Sequence, residues 1–528
     1  MKKSRISTAA GLVSLATLIS RILGVVREQV LAAYFGAGFL TDAFIVAFRI
    51  PNLLRDLFAE GAMSASFVPT FTRYLKEAGR LEAMKLANIV INLLLVILSG
   101  FTLVIFVFAR YFVYVLASGF TPEKMQLTIK LTRIMSPFLL FVAIAAIFMG
   151  ILNTFNRFFI PAFAPAVFNI CCILCGIFLS PVMPSIGQEP IVSMAVGAFL
   201  GGLGQLFIQV PQAIRIDYRY RFSWNFSHPG LARIVSLMAP ATFGLAATQI
   251  NILVDNQIAS YFGDGPVSWL NYSFRIMMLP IGLFGVAIAT ANLSAVSKDA
   301  AEGDINALKI TIAKSIRLAA VLTVPATAGI IALRTPIIRI LYERGKFLEA
   351  DTLQTANTLL FYALGLFAYS LVKIIVPTFY AMGDTKTPVK ISAMVIGIKI
   401  IMNLALIYLF RLLTLPNVSP YLAMPLCTSL AATINLTFLA RRLIAKVGSF
   451  KDMGIGTLII KMILISTFMG VACNVLYMEI ARFLDPRVVL LNAANILIVV
   501  LAGAMMTFIL SYFFRVEEIR EIFSRKRI

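Results

Sequence analysis

The chain has 528 residues, 60% hydrophobic and only 13% charged, with a formal net charge of +22 and a mean hydropathy of +0.91. Water-soluble domains carry about 25% charged residues, so composition alone excludes a soluble globular protein. Nor does the basic excess read as nucleic-acid binding, because lysine and arginine gather on alternate connections between apolar stretches.

About 20 apolar residues span the hydrocarbon as a helix. Fourteen such stretches follow one another: 6–34, 40–72, 85–110, 127–152, 161–182, 190–213, 231–262, 267–297, 307–333, 353–380, 387–411, 419–444, 455–482 and 488–514. Their short connections leave no room for a soluble domain. One set of connections holds Lys2, Lys3 and Arg5, then Arg73, Lys76 and Arg80, then Arg215, Arg219 and Arg221, then Arg441, Arg442 and Lys446. The alternate set is poorer, with Lys124, Arg411, Arg482 and Arg487. By the positive-inside rule both termini are expected in the cytoplasm, and the basic tail (Arg520, Arg525, Lys526, Arg527) is expected to meet anionic lipid headgroups. The exception is 334–351, where Arg334, Arg339, Arg344 and Lys346 mix with Ile337, Ile338, Ile340 and Leu341; it predicts an amphipathic helix at the outer interface. The N-terminal stretch mimics a signal peptide, but Arg21 interrupts it and no small-residue cleavage site follows, so it reads as a retained first crossing.

Cys171, Cys172, Cys175, Cys427 and Cys473 all fall in apolar crossings, where a thiol behaves as a small hydrophobe. No histidine or carboxylate stands near the first three to complete a metal site. His228, the only histidine, lies in a basic loop, which excludes a histidine-based catalytic centre.

The chain repeats itself. Ala32-Ala33-Tyr34-Phe35-Gly36-Ala37-Gly38 matches Ala259-Ser260-Tyr261-Phe262-Gly263-Asp264-Gly265, and Phe48-Arg49-Ile50 matches Phe274-Arg275-Ile276 at nearly the same offset. Leu57-Phe58 pairs with Leu283-Phe284, and Pro161 with Pro388. An offset containing six crossings keeps the copies parallel, as in two-lobed transporters. The expected organisation is an N-lobe over 1–222, a C-lobe over 223–447, and two further helices with a basic tail over 448–528. Two six-helix lobes enclose a central cavity near the midplane, whose access alternates as the lobes rock. Pro51, Pro69, Pro240 and Pro280, with Gly282 and Gly285, are candidate bending points.

Ionised groups inside the membrane are costly and mark transport pathways. On the second crossing Asp42, Arg49, Asp56 and Glu60 are spaced so as to fall within about 40° on a helix, one polar stripe. Arg21 and Arg27 belong to the first crossing, Arg55 to the second and Arg275 to the eighth. These five arginines, Arg49 included, outnumber the three carboxylates, which points to an anionic ligand rather than a closed structural network. Arginine's planar fork donates two parallel bonds to phosphate oxygens and stays charged. The candidate substrate-binding residues are therefore Arg21, Arg27, Asp42, Arg49, Arg55, Glu60 and Arg275. The last two crossings, poor in charge, form a candidate groove for a lipid tail.

The run Ser20-Arg21-Ile22-Leu23-Gly24-Val25-Val26-Arg27-Glu28 resembles the MurJ (MviN) family of lipid II flippases, within the multidrug/oligosaccharidyl-lipid/polysaccharide exporter superfamily. So do Thr41-Asp42-Ala43-Phe44, Phe48-Arg49-Ile50-Pro51-Asn52-Leu53-Leu54-Arg55, Phe58-Ala59-Glu60-Gly61-Ala62, Ile160-Pro161-Ala162-Phe163-Ala164-Pro165 and Asp384-Thr385-Lys386-Thr387-Pro388. The resemblance implies an all-α membrane fold of fourteen helices in a bacterial inner membrane. It implies transfer of undecaprenyl-pyrophosphate-linked disaccharide-pentapeptide (lipid II) to the outer leaflet, with cell-wall synthesis proteins as candidate partners. Essential positions of the family carry over to Arg21, Arg27, Asp42, Arg55, Glu60 and Arg275. Some members have an aspartate before the last arginine, where this chain has Phe274. Some relatives bind sodium in the second lobe, which makes Asp255 a candidate ligand here and Asp384 a weaker one.

Two rivals are a cation-coupled exporter of another substrate and a membrane enzyme acting on prenyl phosphates. The first should favour carboxylates and aromatics over arginines; the second needs an Asp-rich metal loop, which the sequence lacks. No Gly-x-x-x-x-Gly-Lys-Ser/Thr loop is present, so ATP hydrolysis by the chain is not expected.

Overall fold

The structure, a computed structural model, describes residues 2–56, 62–413, 419–485 and 488–524. These form helices and connecting turns, with no strand among the described residues. The backbone reason is the solvent: hydrocarbon offers no partner to a free N–H or C=O, and a helix satisfies both within the segment.

The chain divides into two compact units, residues 1–268 with 344–348, and residues 269–343 with 349–528. The first holds α1 (Lys2–Phe35), α2 (Phe39–Arg55), α3 (Ala62–Glu77), α4 (Gly79–Ala117), α5 (Pro122–Met135), α6 (Phe138–Thr154), α7 (Phe159–Leu174), α8 (Val192–Phe207), α9 (Val210–Arg215) and α10 (Pro229–Ala259). It also holds the start of α11 (Pro266–Pro280). The second unit continues α11 and adds α12 (Ala287–Glu302), α13 (Ile305–Tyr342), α14 (Glu349–Ala363), α15 (Leu366–Ala381), α16 (Lys386–Leu413), α17 (Ala423–Val447), α18 (Ile455–Ala481), α19 (Val489–Phe513) and α20 (Glu517–Ser524).

Ten helical spans among the described residues are long and apolar enough to cross a membrane, or eleven if the pair α14–α15, bent by 47°, is one span. The three other expected crossings fall on α1, on α2 with α3, and on α10. These are helical, but apolar length does not by itself make them crossings, so eleven rather than fourteen rest on that criterion.

Glycine and proline set the breaks. α1 turns into α2 through Gly36, whose φ of +72° is costly for any residue with a Cβ. α10 turns into α11 through Gly263 at +83° and Gly265 at +109°, so the repeated sequence motif carries the same kind of turn twice. Pro280 is followed at once by a π-helical turn, Ile281–Val286. Proline donates no backbone hydrogen bond, and the helix widens where the regular ladder is interrupted.

The region expected as an interfacial helix over 334–351 is different. α13 runs on to Tyr342, past a break at Leu333 and through Pro336, and residues 343–348 leave the helix. Two of its basic side chains have local partners. Arg339 bonds Glu343 and Glu349 at 3.0 and 3.1 Å, and Arg334 bonds the Ile331 carbonyl at 2.8 Å.

Candidate functional site

Asp42, in the first turn of α2, is completely inaccessible. Its Oδ2 accepts from the Lys124 ammonium at 2.7 Å and the Gly265 amide at 2.8 Å. Its Oδ1 accepts from the Ser268 amide at 2.8 Å and from the Ser268 hydroxyl. Gly265 and Ser268 flank the start of α11, so Asp42 caps that helix from α2 and sets a negative charge against its positive end. Lys124 is 1% exposed and also bonds Asp264 at 2.8 Å, with its ammonium 4.3 Å from the Phe120 ring. It is buried because Thr121 is extended and Pro122 opens α5, which places Lys124 in the first turn facing α2. Asp42 was expected on an open stripe with Arg49 and Asp56. Instead it is sealed in a clamp joining the ends of α2, α5 and α11.

The arginines of the first unit remain accessible to different degrees. Arg21 is exposed on α1, and Arg27 and Arg49 are half-buried. The Arg27 guanidinium meets Glu28 at 2.5 Å and lies 5.4 Å from the Phe168 ring of α7, with 15% of its side chain exposed. Arg55 bonds Asp56 at 3.0 Å and keeps 22% exposure. Asp56 in turn accepts from Gln249 of α10 at 3.2 Å and from Asn52 at 3.4 Å. Pairing of this kind orients a guanidinium, and the exposed part of each side chain can meet an anion. Glu60 lies outside the described residues.

In the second unit Arg275 is exposed on α11, within an apolar span. The preceding Phe274 packs edge-on against Tyr362 with ring centroids 5.5 Å apart, so no carboxylate stands beside Arg275 at that position.

Asp255 is half-buried on α10 of the first unit. Among the described residues no group of three or more His, Cys, Asp or Glu side chains could hold a metal ion. A cation at Asp255 would thus draw on amide or carbonyl oxygens for its other ligands.

Asp384 of the second unit is engaged by a turn. Its carboxylate meets Lys446 at 2.6 Å and accepts from the Thr387 amide, in the first turn of α16, at 2.9 Å. The bond from Lys446, then that from Thr387, hold its carboxyl below the usual carboxylate range. The ionised form is the one folding favours. Its contribution is therefore complete above the ordinary value of about 3.9 and is lost as the pH falls below it. Unfolding midpoints of the parent and Asp384→Asn should differ near neutral pH and converge in strong acid. A gap unchanged down to acid pH would mean that the charge does not brace this turn.

Sequence reasoning missed Lys124, read as a loop cation, and Ser268, and it quoted Glu28 without giving it a role. Lys124 left one usable signal: a lysine just after Thr-Pro, where a helix begins and side chains of the first turn can reach a neighbouring helix end.

Long apolar helical spans that carry arginines and carboxylates among them define a multi-pass membrane protein. An inward-facing multidrug resistance MATE family transporter of the MOP superfamily matches with a TM-score of 0.62 at 16% identity, over 82% of this chain and 94% of that one, a likeness of fold. The family described as Lipid II flippase MurJ matches residues 31–513, and this chain belongs to it. A probable lipid II flippase MurJ of Vibrio cholerae is 36% identical over 442 residues, 82% of each chain. The lipid II flippase MurJ of Burkholderia cenocepacia is 35% identical over 395 residues, 74% of this chain and 75% of its own. A structure of lipid II flippase MurJ in an inward closed conformation matches with a TM-score of 0.77 at 31% identity, over 96% of this chain and 99% of that one.

Proposed function

We propose that this chain moves lipid II, the undecaprenyl-pyrophosphate-linked peptidoglycan precursor, from the cytoplasmic to the outer leaflet of a bacterial inner membrane by alternating access. The observation that carries the binding site is a set of arginines on membrane helices that stay reachable in the folded chain: Arg21 and Arg275 exposed, Arg27, Arg49 and Arg55 half-buried. Guanidinium groups suit a diphosphate, which presents several oxygens to planar forks. Asp42 takes another role here. It holds α2, α5 and α11 together at one end, and opening that end requires its bonds to break. The exposed apolar faces of α18 and α19, with Ile463, Leu464, Phe468, Leu497 and Leu501, suit the polyprenyl tail. Both termini face the cytoplasm in this reading, and cell-wall synthesis proteins are its partner class.

The test is a proteoliposome assay with labelled lipid II. The parent should expose label at the outer face; Arg27→Ala and Arg275→Ala should each slow this by tenfold or more (about 1.4 kcal/mol or above per lost charge-assisted contact) while folding normally. Normal rates in both variants would remove the arginine site. Export of an organic cation without lipid II movement would favour the cation-coupled exporter. For coupling, the same assay with and without a sodium gradient, in the parent and in Asp255→Asn, tests sodium at Asp255; transport indifferent to both withdraws the ion.

A further inference from the structure

One hollow of the first unit has no part in that transport route. It lies between α4 and α5, measures about 440 Å³, and is lined by Phe106, Gln126, Ile129, Lys130, Arg133 and Ile134. Gln126, Lys130 and Arg133 follow one another at helical spacing, so they lie on one face of α5. The lining holds two cations and no carboxylate; Glu123, the nearest acidic residue along α5, is not part of it.

Both cations are steered by single contacts that leave most of their donors unused. Lys130 donates to the Gln188 side chain, in the turn before α8. The Arg133 Nε donates to the Phe106 carbonyl at 3.1 Å, and its guanidinium lies 5.7 Å from the Phe106 ring. A guanidinium has five N–H donors and an ammonium three. Arg110, one turn beyond Phe106 on α4, is exposed and adds a third cation to half-buried Lys130 and exposed Arg133.

The surroundings fix the kind of anion. Tyr111 and Tyr114 are exposed near the same end of α4, where interfacial tyrosines mark the headgroup level. One turn toward the bilayer interior, on the same side of α4 as Phe106, Leu103 is exposed and apolar. Cations near headgroup depth above a greasy wall match the two ends of a phospholipid. Positive charge facing hydrocarbon is costly unless an anion accompanies it. We propose that this hollow binds the phosphate of an anionic membrane phospholipid, with an acyl chain lying along α4.

The test is native mass spectrometry of the full-length protein titrated with phosphatidylglycerol. The first phosphatidylglycerol should bind the parent, and about thirtyfold more weakly to Lys130→Gln/Arg133→Gln, as expected for the loss of two basic residues near a lipid surface. Arg133→Lys should stay within a few-fold of the parent. Zwitterionic phosphatidylethanolamine should not discriminate between the variants. Lipid II transport in liposomes of zwitterionic lipid should match the parent, which also shows that the double variant folds. Equal phosphatidylglycerol affinity in parent and double variant would overturn the site. So would a site that prefers polyprenyl diphosphate, or that takes soluble inorganic phosphate equally well.

Discussion

Asp42→Asn should destabilise the folded protein by about 3–5 kcal/mol, because it leaves the Lys124 ammonium buried beside a neutral amide. The remaining partner of Lys124, Asp264, is more than half exposed and cannot compensate inside the cluster. Lys124→Met should cost a similar amount for the opposite reason, an Asp42 carboxylate without its cation. The double variant Asp42→Asn/Lys124→Met should cost less than the sum, since neither buried charge is then left alone. The chain carries its own reporter: Cys172, Cys175, Cys427 and Cys473 are buried thiols outside any disulfide, so a thiol-reactive dye reads unfolding as they emerge. Additive single effects would mean that the two side chains do not form the coupled pair. Asp42 also caps α11, so part of the loss should persist in the double variant; Ser268→Ala removes only the hydroxyl bond, at about 1 kcal/mol, and keeps both amide bonds.

Gly36→Ala and Gly345→Ala should be the most damaging small substitutions. Both glycines have φ in the left-handed region, +72° and +58°. A Cβ on Gly36 would come within 2.6 Å of the Lys346 carbonyl oxygen, and one on Gly345 would run into the Ala33 carbonyl oxygen. The obstacles are backbone atoms, so no side-chain rotation relieves them. The Lys346 amide donates to the same Ala33 carbonyl at 2.8 Å, which locks residues 344–348 against the end of α1. Backbone strain of about 1–3 kcal/mol and overpacking of about 1–3 kcal/mol add at each site. Gly303 has a similar φ of +71° but nothing within 4 Å of its would-be Cβ. Gly303→Ala should therefore show the strain alone. Equal midpoints for Gly36→Ala and Gly303→Ala would show that this close approach is absent.

The positions of the membrane helices were legible because a long apolar run has few other uses in a protein. The ends of those helices were not. Gly36 and Gly263 punctuate the repeat visibly, but nothing local says that α13 continues through Pro336 while residues 343–348 dock on α1. Among the charges, helical phase placed Asp42, Arg49 and Asp56 on one stripe, yet phase reports direction and not depth. Depth came from Lys124 and Ser268, which lie 82 and 226 residues away along the chain. The Arg27–Glu28 pair escaped for a related reason. Adjacent residues on a helix point apart, so only the long guanidinium bending over Phe168 brings them together. A tally of arginines against carboxylates that omits Glu28 and Lys124 mistakes the partners and not the excess: Glu28 pairs with Arg27 and Lys124 with Asp42.

Asp42 and Ser268 are separated by 226 residues, the same interval that separates Arg49 from Arg275. Each thus stands at the other's position in the repeat. Identical residues at such a contact would confront like with like, and two carboxylates would repel. Here the acid stands in one copy and a hydroxyl with two helix-end amides in the other, so the contact attracts. Four donors converge on that one carboxylate and polarise one another, so loss of its single charge weakens all four bonds at once.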